Sequence, residues 1–171
     1  LAEVVATALQ EQWFAEHFPT GELVIPNDLD GRVMNIYRMD DQALWLQGLA
    51  SAEESPSEGQ TLIVYDEPGA VFRFPLEVGR SWTSVGEFKK AQFLGLPWAG
   101  RDTYHVTVEA GGVLELPDLS FGQVLRVKQQ VTLEPAIGPT NTVLQSSFVF
   151  ECFGEVARAT SRDDESTTSR R

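Results

Sequence analysis

The stretch FGQVLRVKQQVTL, residues 121–133, decides the fold class of this chain. Apolar side chains share one face of this segment when it is extended, at Phe121, Leu125, Val127, Val131 and Leu133. The other face carries Val124, Arg126, Lys128, Gln130 and Thr132. Such alternation indicates a strand with one face packed and the other in water, as antiparallel sheets allow.

Segments with the same period of two follow one another along the chain. They are 33–39, 43–50, 61–67, 70–74, 81–88, 102–110, 121–133, 142–151 and 154–160. Gly, Pro, Asp and Ser turns separate them, and no helix-length periodic segment lies between them. The pattern therefore predicts a mainly β domain over residues 1–160, built from eight or nine antiparallel strands. A curved sheet or open barrel and a sandwich both fit this pattern.

Both ends of the chain differ from this pattern. Apolar residues at helical spacing predict a short amphipathic helix over about residues 2–16, which Pro19 and Gly21 then end. Residues 161–171 form a polar C-terminal tail without any apolar residue, a composition typical of disorder. The polar, acidic stretch 51–60 is typical of a solvated hairpin loop.

Charge limits the classes of partner. The chain has 13 Lys and Arg against 25 Asp and Glu, which gives a formal net charge of −12. Nucleic acid is not an expected partner, because its binding depends on basic residues that displace counterions from phosphates. An anionic membrane surface is disfavoured for the same reason. No apolar run is long enough for a transmembrane segment.

The sequence contains no catalytic or metal-binding motif. His105 is predicted on the solvent side of a strand, and His17 near the end of the N-terminal helix. Cys152, the single cysteine, follows Phe148 and Phe150 on one face and is interpreted as a core thiol. We therefore expect no bound metal or cofactor, and we assign no catalytic residue.

The stretch AQFLGLPWAGR, residues 91–101, is unusually apolar for a loop between two expected strands. Phe93, Leu94, Leu96 and Trp98 either cap one end of the core or form a lid or docking surface, since exposed apolar patches mark partners. A sheet of about eight strands that closes on itself can hold one small ligand. The candidate lining of such a cavity is Trp45, Trp82, Phe93 and Trp98. A fully packed core without a ligand is the alternative.

Three stretches resemble a pattern of uncharacterised bacterial secreted lipoproteins. They are FPLEVGRSW, LPDLSFGQVLRVK and SFVFECFGEVARATS, which together span roughly residues 60–160. The matching positions are Phe74, Pro75, Leu76, Val78, Gly79, Trp82, Pro117, Phe121, Val124, Leu125, Val127, Gly154 and Val156. The chain departs from the pattern at Glu151, Cys152 and Phe153, where an aromatic-Ala-Pro-Gly turn is usual. The resemblance implies a periplasmic or envelope location and a lipid anchor upstream of Leu1, but no activity.

These observations favour a non-enzymatic binding or interaction domain outside the cytoplasm. Its expected ligand is an apolar small molecule or a partner protein. One alternative is a structural domain of a cell-envelope assembly, with the apolar 91–98 stretch docked on a neighbour. A second alternative is a hydrolase with paired carboxylates, which would require two acidic side chains to converge in a cleft.

Overall fold

The computed structural model describes residues 5–27, 30–151 and 153–161. Within these ranges the chain forms ten strands and two short 3-10 helices. The strands are β1 (Thr7–Ala8), β2 (Leu23–Pro26), β3 (Val33–Met39), β4 (Ala43–Ser51), β5 (Leu62–Arg73), β6 (Ser81–Phe93), β7 (Leu96–Glu115), β8 (Ser120–Pro135), β9 (Asn141–Phe150) and β10 (Gly154–Thr160). The 3-10 helices are Leu9–Glu11 and Ala15–His17.

The strands form one antiparallel sheet whose order follows the sequence from β1 to β10. Strands joined by short turns pair in this way without a crossover. The sheet curls into a half-barrel, which confirms the predicted mainly β fold class and agrees with the open barrel rather than the sandwich. The expected strands 61–67 and 70–74 are a single strand, β5, which runs through Pro68 and Gly69.

The concave face of the sheet holds the main hydrophobic core. Its buried members are each no more than 7% exposed: Tyr37, Leu46, Ile63, Tyr65, Val71, Phe72, Phe88, Tyr104, Val106, Val108, Val127 and Val131. They come from β3 to β8, so the packing runs around the curl. Because these side chains fill the inside of the half-barrel, most of the stabilisation comes from apolar area removed from water.

The N-terminal segment is not the expected helix over residues 2–16. Its described part, from residue 5, forms β1 and the two 3-10 helices, and it covers the convex face of β2 to β5. Phe14 and Phe18 are buried there against Val24 and Ile36. The indole N–H of Trp13 donates to the Ser51 carbonyl at 2.9 Å. The apolar residues therefore serve to cover a sheet face, and tertiary contacts override the helical spacing.

The alternation predicted for β8 is confirmed from Leu125 to Leu133, whose inward side chains pack in the main core. It fails at Phe121. The register between β7 and β8 shifts near Gln123, which has a positive φ of 60°. The extra residue of such a bulge reverses the faces of the strand beyond it. Phe121 consequently packs against Phe150, with ring centroids 5.6 Å apart, instead of joining Leu125.

No helix in the described ranges has the length and hydropathy that a membrane span requires. Cys152 and residues 162–171, for which a core thiol and a polar tail were predicted, lie outside the described residues.

Candidate functional site

The apolar stretch 91–101 is a β-hairpin and not the loop that the sequence suggested. β6 and β7 continue until Phe93 pairs with Leu96, and only Leu94 and Gly95 form the turn. Both turn residues have positive φ, 48° and 78°. This backbone is typical of the two-residue turns whose twist matches that of the flanking strands. Leucine is not a usual residue in such a turn, so local sequence offers little indication of it.

The tip of this hairpin exposes three large apolar side chains. Phe93 is 39% exposed, Leu94 is 46% exposed and Leu96 is 66% exposed. We call these three residues the hairpin tip. Trp98 lies just behind them, half-buried, with its ring centroid 5.4 Å from that of Phe93. The structure therefore brings together four of the six predicted site residues.

The loop before β5 holds the hairpin tip in place. The backbone N–H of Gly95 donates to the Gln60 carbonyl at 2.8 Å, and that of Leu94 donates to the Thr61 hydroxyl at 3.3 Å. Gly59 packs so closely against Leu94 that a Cβ there would come within 2.5 Å of the Leu94 backbone. Hydrogen bonds to the loop before β5 therefore hold the backbone that carries these apolar side chains.

Charges near the hairpin tip are mixed. Lys89 and Lys90 are exposed on β6, while Glu54 and Glu58 are exposed on the loop beside Leu94. Neither sign dominates, so this surface offers no general electrostatic attraction to a charged polymer or an anionic membrane.

The structure does not bring the other two predicted site residues to the hairpin tip. Trp82 lies at the opposite end of β6, where it packs against the main core and its indole N–H donates to the Ala70 carbonyl at 3.2 Å. Trp45 donates to a carboxylate oxygen of Asp40 at 2.8 Å and lies under the Arg38 guanidinium, 6.0 Å from its ring centroid. Local contacts of Trp45 and Trp82 therefore account for their positions.

Two depressions on the described part of the molecule are open to solvent. One, of about 430 Å³, lies beside Ser81, Thr83, His105 and Thr107, and includes Trp82. A second, of about 220 Å³, lies along β7 and β8 next to Val113. Neither is lined by the hairpin tip, Trp45 or Trp98. Buried side chains of the main core fill the inside of the curl, so a small-molecule cavity there would require that core to open.

A buried polar cluster lies on the concave face, and none of its residues was among the predicted site residues. Tyr65 on β5 reaches across Gly86 on β6 and donates its hydroxyl hydrogen bond to Asp102 on β7. The Tyr65 and Tyr104 hydroxyl oxygens are 3.4 Å apart. Burial raises the pKa of Asp102 to about 6, although the Tyr65 hydrogen bond acts in the opposite direction. Burial also raises the pKa of both tyrosines well above the ordinary range.

A second set of polar side chains joins β3 to β10 across the curl. The Arg158 guanidinium donates from Nε to Glu155 at 2.8 Å and also interacts with the Tyr37 hydroxyl. Asn35 donates to the same hydroxyl at 3.2 Å. Burial raises the pKa of Tyr37, while the nearby Arg158 charge lowers it. Side chains rather than backbone hydrogen bonds therefore link β3 with β10.

The residues tested for metal and acid–base chemistry fall in ordinary positions. His105 is exposed on β7, as predicted, with its Nδ1 2.9 Å from the Thr83 hydroxyl. His17 is exposed at the end of a 3-10 helix. In the described part of the chain, His, Cys, Asp and Glu side chains form no group of three suited to a metal ion. Asp102, the carboxyl with a raised pKa, has tyrosines beside it and not a second carboxylate.

One sequence signal could have found the polar cluster. Tyr104, Val106 and Val108 alternate with the solvent-side position of His105, and Asp102 is the next residue in that alternation. An acidic residue in phase with three core residues is a candidate buried carboxyl.

No protein-family profile, no curated protein and no solved structure matches this chain. Its function must therefore be inferred from its own geometry.

Proposed function

We propose that this chain is a binding domain that docks on a partner protein through the hairpin tip. The observation that carries the proposal is the exposure of Phe93, Leu94 and Leu96 on one anchored two-residue turn. Contiguous exposed apolar side chains on a folded domain mark interaction sites. Three such residues on a fixed turn can enter an apolar pocket with little loss of conformational entropy.

Two further observations favour a protein over other partners. The main core fills the concave face, so an apolar small molecule, the other expected ligand, has less support. The mixed charges around the hairpin tip and the net charge of −12 disfavour nucleic acid and anionic lipid.

The resemblance to secreted lipoproteins supports a place outside the cytoplasm and a lipid anchor upstream of Leu1. If the partner stays bound outside the cytoplasm, the chain is a structural domain of an envelope assembly. That role uses the same docking contact at the hairpin tip. We therefore treat that alternative as one form of the same proposal.

Site-specific photo-crosslinking in the organism that makes the protein tests this docking role. A photoreactive amino acid at position 96 should give a discrete protein adduct. The same group at position 137, where Ile137 is 87% exposed on another turn, is the matched control and should not give it. Leu94→Asn should reduce the adduct severalfold, because it removes an apolar contact and suits the positive φ of the turn. Identical adducts from both positions would contradict docking by the tip.

A further inference from the structure

Asp102 is a buried carboxyl without a basic partner among the described residues. The residue is 8% exposed and faces the inside of the half-barrel from β7. Its carboxylate accepts the hydrogen bond from Tyr65, whose hydroxyl also neighbours that of Tyr104. Among the residues that the structure describes, no Lys, Arg or His side chain influences its pKa. A buried anion without a basic partner is costly, and a protonated carboxyl avoids that cost.

In the described part of the chain, the elements around Asp102 bring tyrosines as its titratable neighbours. β5 contributes Tyr65, and β7 itself contributes Tyr104. β6 and β8 place Gly86 and Leu133 opposite Asp102 in the sheet register. Tyr37 on β3 lies further along the inner wall. Its electrostatic interaction raises the pKa of Tyr104 but does not shift the pKa of Asp102. The Arg158 guanidinium, which lies next to Tyr37, donates a hydrogen bond to Glu155.

We propose that Asp102 makes the half-barrel sensitive to pH. The inner wall is most stable when this carboxyl carries a proton and loosens when the proton leaves. The sign follows from linkage: the folded chain holds the proton up to a pH of about 6, whereas the unfolded chain releases it near 3.8. The stabilisation is complete below pH 3.8 and is lost as the pH rises through about 6.

A chain of packed rings connects this carboxyl with the β6–β7 hairpin. The Tyr65 ring stacks on Phe88 with centroids 5.8 Å apart and planes at 22°. Phe88 in turn lies against Gly100, where a Cβ would be 3.1 Å from the ring. Loosening of the inner wall around Asp102 therefore reaches the hairpin through the rings of Tyr65 and Phe88. This inference does not depend on the docking role of the hairpin tip.

Two measurements on the whole chain test the proposal. In urea unfolding, the unfolding constant of the wild type should rise about fiftyfold between pH 4 and pH 7.5 relative to Asp102→Asn. Asp118→Asn, which removes an exposed carboxyl, should keep the wild-type pH dependence. An unchanged pH dependence in Asp102→Asn would overturn the proposal.

The second measurement needs no variant. The ¹³C chemical shift of the Asp102 carboxyl in the folded wild type should titrate with a midpoint near 6. A midpoint at or below about 4, the ordinary value for aspartate, would refute the proposal even if Asp102→Asn failed to fold.

Discussion

The ring of Tyr65 lies against Gly86, so close that a Cβ at position 86 would come within 2.9 Å of the ring. The Tyr104 ring lies against Gly69 in a similar way, with a corresponding distance of 3.2 Å. Glycine at these positions leaves room for the rings to cross a neighbouring strand. The contact of Tyr65 with Asp102 therefore depends on a residue that has no side chain.

We predict that Gly86→Ala destabilises the protein by about 1–3 kcal/mol, because the new methyl group overpacks the Tyr65 ring. Urea unfolding at pH 5 measures the loss. Gly112→Ala is the matched control, since a Cβ there meets nothing within 4 Å. Equal stability for the two variants would show that Tyr65 can move aside freely.

Tyr65→Phe should destabilise the protein more at pH 8 than at pH 5. Its hydroxyl donates to the Asp102 carboxylate, and a hydrogen bond to a charged group contributes about 1.5–3 kcal/mol. The pKa of Asp102 is about 6, so the carboxyl is mostly ionised at pH 8 and mostly protonated at pH 5. Urea unfolding at the two pH values checks this. The same loss at both would mean that Asp102 does not titrate between them.

Leu94→Asn should stabilise the fold by up to about 1 kcal/mol while removing an exposed apolar side chain. Leu94 has a φ of 48°, a conformation that asparagine tolerates and most residues avoid. Leu94→Val should be less stable than the wild type, because a β-branched residue is strained there. Thermal unfolding of the three proteins gives the order. If Val proved as stable as Asn, the turn would have another conformation in solution.

Phe14→Ala should cost about 3–5 kcal/mol, because this ring is fully buried between the N-terminal segment and the sheet. Val5→Ala, 62% exposed in the same segment, should change stability by less than about 0.5 kcal/mol. Thermal unfolding compares them. A small loss in Phe14→Ala would show that the segment contributes little to the fold.

Strand alternation was enough to predict the fold class, because an antiparallel sheet with one packed face repeats every two residues. The alternation pattern failed where tertiary contacts determine the local structure. The N-terminal apolar residues match a helical period, yet Phe14 and Phe18 cover β-strands that no local pattern reveals. The face of Phe121 depends on a one-residue bulge.

The candidate site was predicted in composition but not in shape. Phe93, Leu94, Leu96 and Trp98 were singled out because an apolar loop is unusual, and they do lie together. Sequence spacing placed them in a long loop, because Leu94 carries none of the usual turn chemistry. Alternation could have marked Asp102 as a buried carboxyl, but its contacts with Tyr65 and Tyr104 depend on ring orientations across neighbouring strands that local sequence does not encode.

The order of the strands also bears on how the chain reaches its fold. Every strand pairs only with its neighbours in sequence, so each new hairpin closes a short loop at small entropic cost. Contact order strongly influences folding rate, and a meander lowers it relative to sheets with crossovers. Long-range contacts such as Trp13 to Ser51 and Tyr37 to Arg158 join parts of the sheet that neighbour pairing has already built. The half-barrel can therefore grow hairpin by hairpin, with the N-terminal segment settling on its convex face once β2 to β5 are in place.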